Sequence, residues 1–553
     1  MHRLLLLLAL TIHGAIGADN LTADRLFQRD HIVQVSIDLP EEKWAELCLQ
    51  TRTMGEALSK TLPEKPFTYM KGHITIDGVR IENVGIRKKG FIGSLDTTRP
   101  SLKIKFNEYD KKQHPIDGLD RLTLNNNKQD TAHLSQYLGY QLFQDTGTPA
   151  PRCNHAQVTV NGQDLGVYSH VESIRKPFLK RAFGSDEGDL FEGTIADFMD
   201  GWMHKFESKR KRSKVADLKP LQAVLENPES TLEEIGAHLD IDAFIRYWAV
   251  ESLISFWDGY TNNQNNYFLY QNPSTSKWQF IPWGLDSAFT SMMPFPPFFI
   301  PNHAAQSQSV ISNRLYHFPE IQHKYLATMK GILESQWNET DLNAEIDAVT
   351  ERLEDAHTRG KAQEKGLKKL QTFVRMRRNV MESAFKIWPL KIPETPKEPI
   401  YFSEIGTAKV TFDTQWYDKS PRNAQKLGNV EFSMILRDEP VEFEAVGAIA
   451  ERGKMPGSDG EHPASVVIHA KRKSDGAKMV LGIGVEDAQF HPSPNTITAQ
   501  GLIMGGIKGF GILSAQIKLS QAATEQQAPV AGEATISILQ MHGGKPIGKK
   551  KED

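Results

Sequence analysis

A proline-rich segment divides this 553-residue chain into two parts with different hydrophobic patterns. Four prolines fall within residues 389–399, a composition that favours an extended linker. Apolar residues before it follow both strand and helix periods, whereas those after it alternate like strands. The sequence therefore predicts an α+β region at 19–388, a linker at 389–399 and a sandwich-like, all-β module at 400–541. A charged, disordered tail is expected at 542–553.

The N-terminus has the features of a secretory signal peptide over residues 1–18. A basic start precedes the apolar run Leu4–Leu10, and small residues follow it. No later segment has about 18 uninterrupted apolar residues, so we expect no integral membrane segment after cleavage. The protein is then secreted, periplasmic or at the cell surface. An exported protein can keep a disulfide, and Cys48 and Cys153 leave a bridge and two separate thiols both open.

Strand and helix patterns alternate through the first region. The clearest helix covers 240–257, where apolar residues form one stripe. A hairpin is predicted at 267–282, and helices return at 320–387. Earlier elements are strands at 31–39, 73–76, 84–88 and 102–106, a helix at 131–146 and a hairpin at 158–168. In the last region, strands are expected at 409–412, 430–436, 441–448, 465–470, 479–483 and 535–539.

The polar residues that flank the long helix and the hairpin form the most informative pattern. Asp258 follows the helix directly, Asn263 lies five residues later, and Asp286 follows the hairpin. Protein kinases have the same order: an Asp after a helix, an Asn five residues on, a hairpin and a metal-binding Asp. Turn formation also explains these residues, because Asn and Asp favour tight turns. The net charge of −3 gives no reason to expect a nucleic acid partner.

Several short segments match, in order, the motifs of one known family. They are Arg87–Gly90 with Arg99–Phe106, Leu122–Asn127 with Asp130, Gly147–Arg152, Asn161–Gly162 with Gly166–Glu172, Asp189–Gly193, Trp257–Asp258, Asn265–Tyr270 and Ile281–Asp286. Through them the chain resembles the CotH family, the spore-coat-protein-H-like atypical kinases, over about 33–387. The resemblance implies a divergent kinase-like domain that uses ATP and Mg²⁺ or Mn²⁺ to phosphorylate Ser or Thr of a protein acceptor.

The resemblance also assigns roles to the polar residues around the hairpin. Asp258 is the catalytic Asp, which orients the substrate hydroxyl or accepts its proton. Asp286 binds the metal, with Asn263 or Asn266 as the second ligand. The spacing from Asp258 favours Asn263, and the family's Asn-Tyr pattern favours Asn266. Gly284 departs from the family, which commonly has an Asp there.

The same resemblance places a phosphate-binding lysine on the strand at 102–106. Lys103 and Lys105 lie on its polar face, and both stay open as the phosphate contact. Glu172 is the carboxylate expected to pair with that lysine.

Two other functions are compatible with the same pattern. One is a non-catalytic coat or surface protein that keeps the kinase-like fold for binding, with the β-module contacting a surface polymer or protein. The other is a small-molecule or glycan kinase on the same scaffold.

Overall fold

The structure, a computed structural model, describes residues 21–61, 65–290, 304–356, 360–452 and 463–547. The predicted signal peptide at 1–18 and the end of the predicted tail, 548–553, lie outside these ranges. Within them, no helix is long and apolar enough to cross a membrane.

Seven strands near the N-terminus close into a barrel in the order β1-β2-β3-β4-β5-β7-β6. They are β1 (Ile32–Asp38), β2 (Met70–Ile76), β3 (Val79–Lys89), β4 (Ser101–Lys105), β5 (Arg121–Asn125), β6 (Cys153–Val160) and β7 (Gln163–Val171). Inward residues such as Val33, Leu102 and Leu124 are fully buried. Neighbouring strands are antiparallel except β1 and β6, whose parallel pairing closes the barrel. Because side chains alternate across a strand, β3, β4 and β5 turn basic residues outward.

A second, four-stranded sheet follows the barrel, in the order β11-β10-β8-β9. It contains β8 (Leu190–Gly193), β9 (Phe206–Ser208), β10 (Tyr267–Gln271) and β11 (Trp278–Pro282). The predicted hairpin is confirmed as β10 and β11, which pair from Tyr267 with Pro282 to Gln271 with Trp278.

Helices cover the second sheet and link it to the barrel. They are α1 (Ala23–Leu26), α2 (Glu41–Leu49), α3 (Met54–Ala57), α4 (Ser135–Asp145), α5 (Lys176–Phe183), α6 (Lys219–Glu226), α7 (Leu232–His238), α8 (Ile241–Leu253), α9 (Tyr260–Asn263), α10 (Val310–Tyr316), α11 (Pro319–Ser335), α12 (Glu339–Ala356) and α13 (Lys361–Phe385). The predicted long helix is α8, but it ends at Leu253, four residues before Trp257. Ser255 adopts a left-handed conformation, with φ of 51°, which is incompatible with continuing the helix.

The C-terminal region is all-β, as predicted. Its strands are β12 (Tyr401–Gln415), β13 (Asn429–Leu436), β14 (Glu439–Pro440), β15 (Phe443–Arg452), β16 (Ala464–Arg472), β17 (Lys478–Val485), β18 (Ile497–Met504), β19 (Gly511–Gln521) and β20 (Pro529–His542). All nine belong to one antiparallel sheet. The sheet curls around its core, so that Tyr417, just after β12, donates through its N–H to the Ala450 carbonyl at 2.7 Å. The sequence patterns missed β18 and β19, which flank a glycine-rich turn.

The two cysteines are free thiols in separate surroundings. Cys48 is buried in α2, where its carbonyl accepts a hydrogen bond from the Lys88 ammonium. Burial raises the pKa of the Cys48 thiol to about 11. Cys153 starts β6, so the choice that the sequence left open resolves to two thiols.

Candidate active site

Two loops meet beside the hairpin of the second sheet. The first, residues 258–266, connects α8 to β10, and the second, residues 283–290, follows β11. Trp283 donates its N–H to the Asn266 carbonyl at 3.0 Å, and Phe289 donates to the Ile254 carbonyl at 2.7 Å. These bonds join the segments that carry Asp258 and Asp286, and the Asp258 charge raises the pKa of Asp286. The two segments are therefore in contact at one end of the hairpin.

The Asp258 carboxylate is surrounded by asparagine amides. Asn263 and Asn265 donate to Oδ1 at 2.7 and 3.1 Å, and Asn266 donates to Oδ2 at 2.8 Å. Burial raises the pKa of Asp258, and the three amides oppose that rise. A carboxylate has about four acceptor sites. Oδ2 accepts one of these three side-chain amide bonds, and Oδ1 accepts the other two.

A fully buried carboxylate, Glu251 on α8, holds the 258–266 loop in place. It accepts the N–H groups of Tyr260 and Thr261 at 3.0 and 2.9 Å, and the Thr261 hydroxyl at 2.6 Å. Burial raises the pKa of Glu251 to about 7, against these hydrogen bonds. Gly259 is required beside it, because a Cβ there would lie 2.3 Å from Glu251 Oε1.

Asp286 faces one ammonium group and two other carboxylates. Burial raises its pKa, the Lys89 charge lowers it, and Asp258 and Asp130 raise it again. Lys89 ends β3, and its ammonium also donates to Asn125 Oδ1 on β5. The Lys89 ammonium is thus bonded to the barrel, and its charge acts on Asp286 in the 283–290 loop.

The structure separates the two candidate lysines of β4. Lys105 is paired with Glu108, three residues away. Lys103 lies opposite Arg87 of β3 and Thr123 of β5 in the barrel register. Burial lowers the pKa of Lys103 well below its usual value, and the neighbouring charges of Arg87, Arg121 and Lys89 lower it further. Lys103 therefore lies among several other positive charges, whereas the charge of Lys105 is balanced by Glu108.

The predicted partner of that lysine, Glu172, lies elsewhere. Its carboxylate accepts from Arg152 at 3.0 Å and from Arg181 at 2.6 Å, at the end of β7. The acid that faces Lys103 is Glu192 of β8, whose charge raises the pKa of Lys103. Glu192 also pairs with Lys209. Glu172 is therefore part of a structural arginine cluster, because two guanidinium groups occupy its oxygens.

A lysine from the proline-rich segment also reaches the site. Lys397 is 4% exposed, and its ammonium donates to Asn263 Oδ1 at 3.3 Å. Burial lowers the pKa of Lys397 to about 8, while Asp258 and Asp197 raise it. Because an ammonium only donates hydrogen bonds, the Asn263 side-chain oxygen is the acceptor in this bond. The Asn266 oxygen instead lies on the side of Gly284, where an added Cβ would approach it to 2.6 Å.

A metal ion here would rely on few protein ligands. Among the described residues, no group of three or more His, Cys, Asp or Glu side chains is arranged to hold one. Asp286, Asp258 and the Asn266 oxygen are the available oxygen donors. Mg²⁺ is often held by one or two carboxylates together with substrate phosphates, and this donor set fits that mode.

Three residues of the site were not singled out by the sequence patterns: Lys89, Glu192 and Lys397. Lys89 and Glu192 lie inside segments that carry the family resemblance, so motif position was the available signal. Lys397 gave no such signal, because nothing in a proline-rich run marks one lysine as buried.

Comparison with known proteins agrees with the resemblance. The family described as CotH kinase protein matches residues 86–382, more than half of the chain. Inner spore coat protein H of Bacillus subtilis (strain 168) is 23% identical over 251 residues, which cover 43% of this chain and 68% of that protein. Invasin CotH2 of Rhizopus delemar is 23% identical over 189 residues, and Invasin CotH3 over 183. The matches span about a third of each invasin, 32% and 30%.

Proposed function

The chain belongs to the CotH family, and from that premise we propose that it transfers phosphate from ATP to a Ser or Thr hydroxyl of a protein acceptor. The observation that supports this most strongly is the meeting of Asp258 and Asp286 beside a basic barrel face. Phosphoryl transfer needs mainly a carboxylate near the attacking hydroxyl, a metal-binding carboxylate and cations on the phosphates. The two loops supply the carboxylates and the basic barrel face supplies the cations, which supports the proposal.

Asp258 is proposed to receive the proton of the acceptor hydroxyl. Its carboxylate is fixed by the amides of Asn263, Asn265 and Asn266, so it does not reorient when the substrate arrives. Burial raises its pKa, which makes it a better proton acceptor at neutral pH than an exposed Asp.

The barrel face is proposed to bind the phosphates. Lys103, with Arg87 and Arg121 beside it, provides positive charge that Glu192 balances only in part. A buried set of like charges is unfavourable without an anion, since each ammonium loses hydration. A bound polyphosphate would relieve that cost.

Asp286 and Asn266 would hold Mg²⁺ or Mn²⁺, with Lys89 neutralising part of the acidic charge when the metal is absent. The ion would supply charge neutralisation on the β- and γ-phosphates. The backbone around these two residues is held by hydrogen bonds, because Trp283 donates its N–H to the Asn266 carbonyl and Gly284 donates its N–H to the Tyr140 hydroxyl.

A second candidate is a surface protein that binds without catalysis. The names of the relatives favour it, since they describe a spore coat protein and two invasins. We place either activity outside the cytoplasm, on the basis of the predicted signal peptide at 1–18 and these surface relatives. The β-module would then contact a surface polymer or protein.

The proposal is tested by incubating purified protein with labelled ATP, Mg²⁺ and a Ser-rich acceptor, beside the variants Asp258→Asn and Asp286→Asn. We expect transfer by the wild type and a loss of at least roughly 10³-fold in each variant. ATP with Mg²⁺ should also raise the melting temperature of the wild type. If the wild type shows no phosphate transfer and no thermal shift, the binding function is the better account.

A further inference from the structure

The proline-rich segment does not run free of the N-terminal region but packs against the 258–266 loop. Lys397 donates its backbone N–H to the Gln308 carbonyl at 2.8 Å. Its own carbonyl accepts the Gln264 side-chain amide at 2.6 Å. Gln308 in turn donates its N–H to the Thr261 carbonyl at 2.9 Å. The backbone of this segment is thus bonded on both sides to the loop that carries Asp258.

The side chain of Lys397 continues this contact to the catalytic carboxylate. Its ammonium donates to Asn263 Oδ1 at 3.3 Å, and Asn263 Nδ2 donates to Asp258 Oδ1 at 2.7 Å. An amide has one accepting end and one donating end, so the first bond dictates the orientation for the second. Without Lys397, the Asn263 oxygen would lose this donor, and the bond to Asp258 alone would hold that amide.

We infer that Lys397 is a positioning residue for the reaction, supplied to the site by the interdomain segment, which orients Asn263 and thereby Asp258. The inference rests on the proposed phosphoryl transfer for its kinetic consequence. The family match ends at residue 382, so this part of the site comes from outside the matched domain.

Residues 544–547, which the sequence predicted to be part of a disordered tail, instead bond to the proline-rich segment from the other side. Just after β20, Gly544 donates its N–H to the Glu398 carbonyl at 2.8 Å, and Glu398 donates to the Lys545 carbonyl at 3.0 Å. Ile547 donates its N–H to the Pro396 carbonyl at 3.0 Å. The Thr395 hydroxyl donates to the Ile547 carbonyl at 2.6 Å. Lys397 is therefore held between the catalytic loop and the C-terminal strand.

Stability alone does not account for an ammonium in this place. Burying one costs free energy, and the bond to Asn263 Oδ1 and the charges of Asp258 and Asp197 do not fully offset that cost, since the pKa of Lys397 is lowered to about 8. A purely structural role predicts that Lys397→Met lowers the melting temperature, with no loss of rate in the protein that stays folded. A positioning role predicts that the melting temperature is kept while the order of the loop and the rate are lost.

The experiment compares Lys397→Met with Lys386→Met, which changes an exposed lysine at the end of α13. Hydrogen exchange measured by mass spectrometry follows the amides of residues 258–266. We expect Lys397→Met to speed their exchange roughly tenfold or more and to lower kcat by roughly 10- to 100-fold, with the KM for ATP nearly unchanged. Lys386→Met should match the wild type in all three quantities.

A double variant tests whether Lys397 acts through Asn263. In an Asn263→Leu background, adding Lys397→Met should lower kcat by a further factor of less than about two. The hydrogen bonds that join Lys397 to Asp258 through Asn263 are already absent there. Fully additive losses would overturn the inference, as would unchanged exchange at 258–266 or faster exchange with an unchanged kcat. If the wild type transfers no phosphate, the proposed function fails, while the exchange measurement still decides whether Lys397 orders the loop.

Discussion

The N-terminal region and the β-module bury different kinds of side chain. In the β-module, over the part that the structure describes, the buried polar side chains are Thr414 and Ser465. The N-terminal region buries many more, among them the carboxylates Asp130, Asp197 and Glu251. Burying a charge is costly unless it is paired or hydrogen-bonded, so such groups accumulate where chemistry needs them. The comparison shows that buried charge is concentrated in the N-terminal region, where we propose that phosphoryl transfer takes place.

The sharpest test of this difference lies within the N-terminal region itself. Lys103→Met should lower kcat/KM for ATP by roughly 10²- to 10³-fold, because it removes a cation from the proposed phosphate site. Lys105→Met is the matched control on the same strand face. Its kcat/KM for ATP should stay within about twofold of the wild-type value, because Lys105 already pairs with Glu108. Steady-state phosphorylation at varied ATP measures both, and equal losses would show that the two lysines share the role.

In the β-module, a core truncation should reduce stability without affecting chemistry. Ile536 on β20 is fully buried, and Ile536→Ala should cost roughly 2–5 kcal/mol of unfolding free energy. Thr535→Ala, on the exposed face of the same strand, should change it by less than about 0.5 kcal/mol. Denaturant unfolding measures both values. A loss of kcat in Ile536→Ala under native conditions would break the division between the regions.

The buried acids predict that the stability of the N-terminal region falls as pH rises through 7. The pKa of Glu251 is raised to about 7 in the folded protein, compared with about 4.3 in an unfolded chain. Its stability contribution is therefore complete below pH 4 and is lost as pH rises through 7. Between pH 5 and 8 the loss is roughly 2–3 kcal/mol.

Hydrogen-exchange protection at pH 5 and 8, corrected for intrinsic rates, measures this loss. Protection of α8 should decrease from pH 5 to pH 8 in the wild type, and it should decrease less in Glu251→Gln. The β-module is the comparison, because within its described residues no carboxylate is buried, and burial lowers the pKa of His469, which makes stability rise with pH instead of falling. A parallel fall in both regions would contradict the assignment to Glu251.

The smallest expected effect concerns Gly284, which adopts φ of +59°. Gly284→Ala should cost about 1–2 kcal/mol of stability and several-fold in kcat, because its Cβ would lie 2.6 Å from Asn266 Oδ1. Gly162→Ala is the control, since Gly162 also has a positive φ, +79°, but its added Cβ meets nothing within 4 Å. Melting curves report the backbone strain that the two variants share. A fall of kcat in Gly284→Ala alone reports the displacement of Asn266. Identical kinetics in the two variants would remove Asn266 from the site.

Local patterns predicted much of the framework. The apolar stripe of α8 and the hairpin pattern of β10 and β11 were sufficient to place Asp258, the asparagine run and Asp286 relative to these elements. Periodicity is a local property, so a single sequence carries it. The choice between Lys103 and Lys105 was different, because both lie on one face and only their neighbours on other strands distinguish them. Glu172 was assigned by its motif position, but Arg152 and Arg181 already occupy it.

The sequence by itself determined the two-region plan, the main helices and strands, and the family to which residues 86–382 belong. Only the tertiary structure decided that β1 and β6 close the barrel, that Glu192 faces Lys103, and that Lys397 enters the site. These contacts join residues far apart in the chain. Their free energy depends on burial and on charges brought together by folding, which no local pattern records.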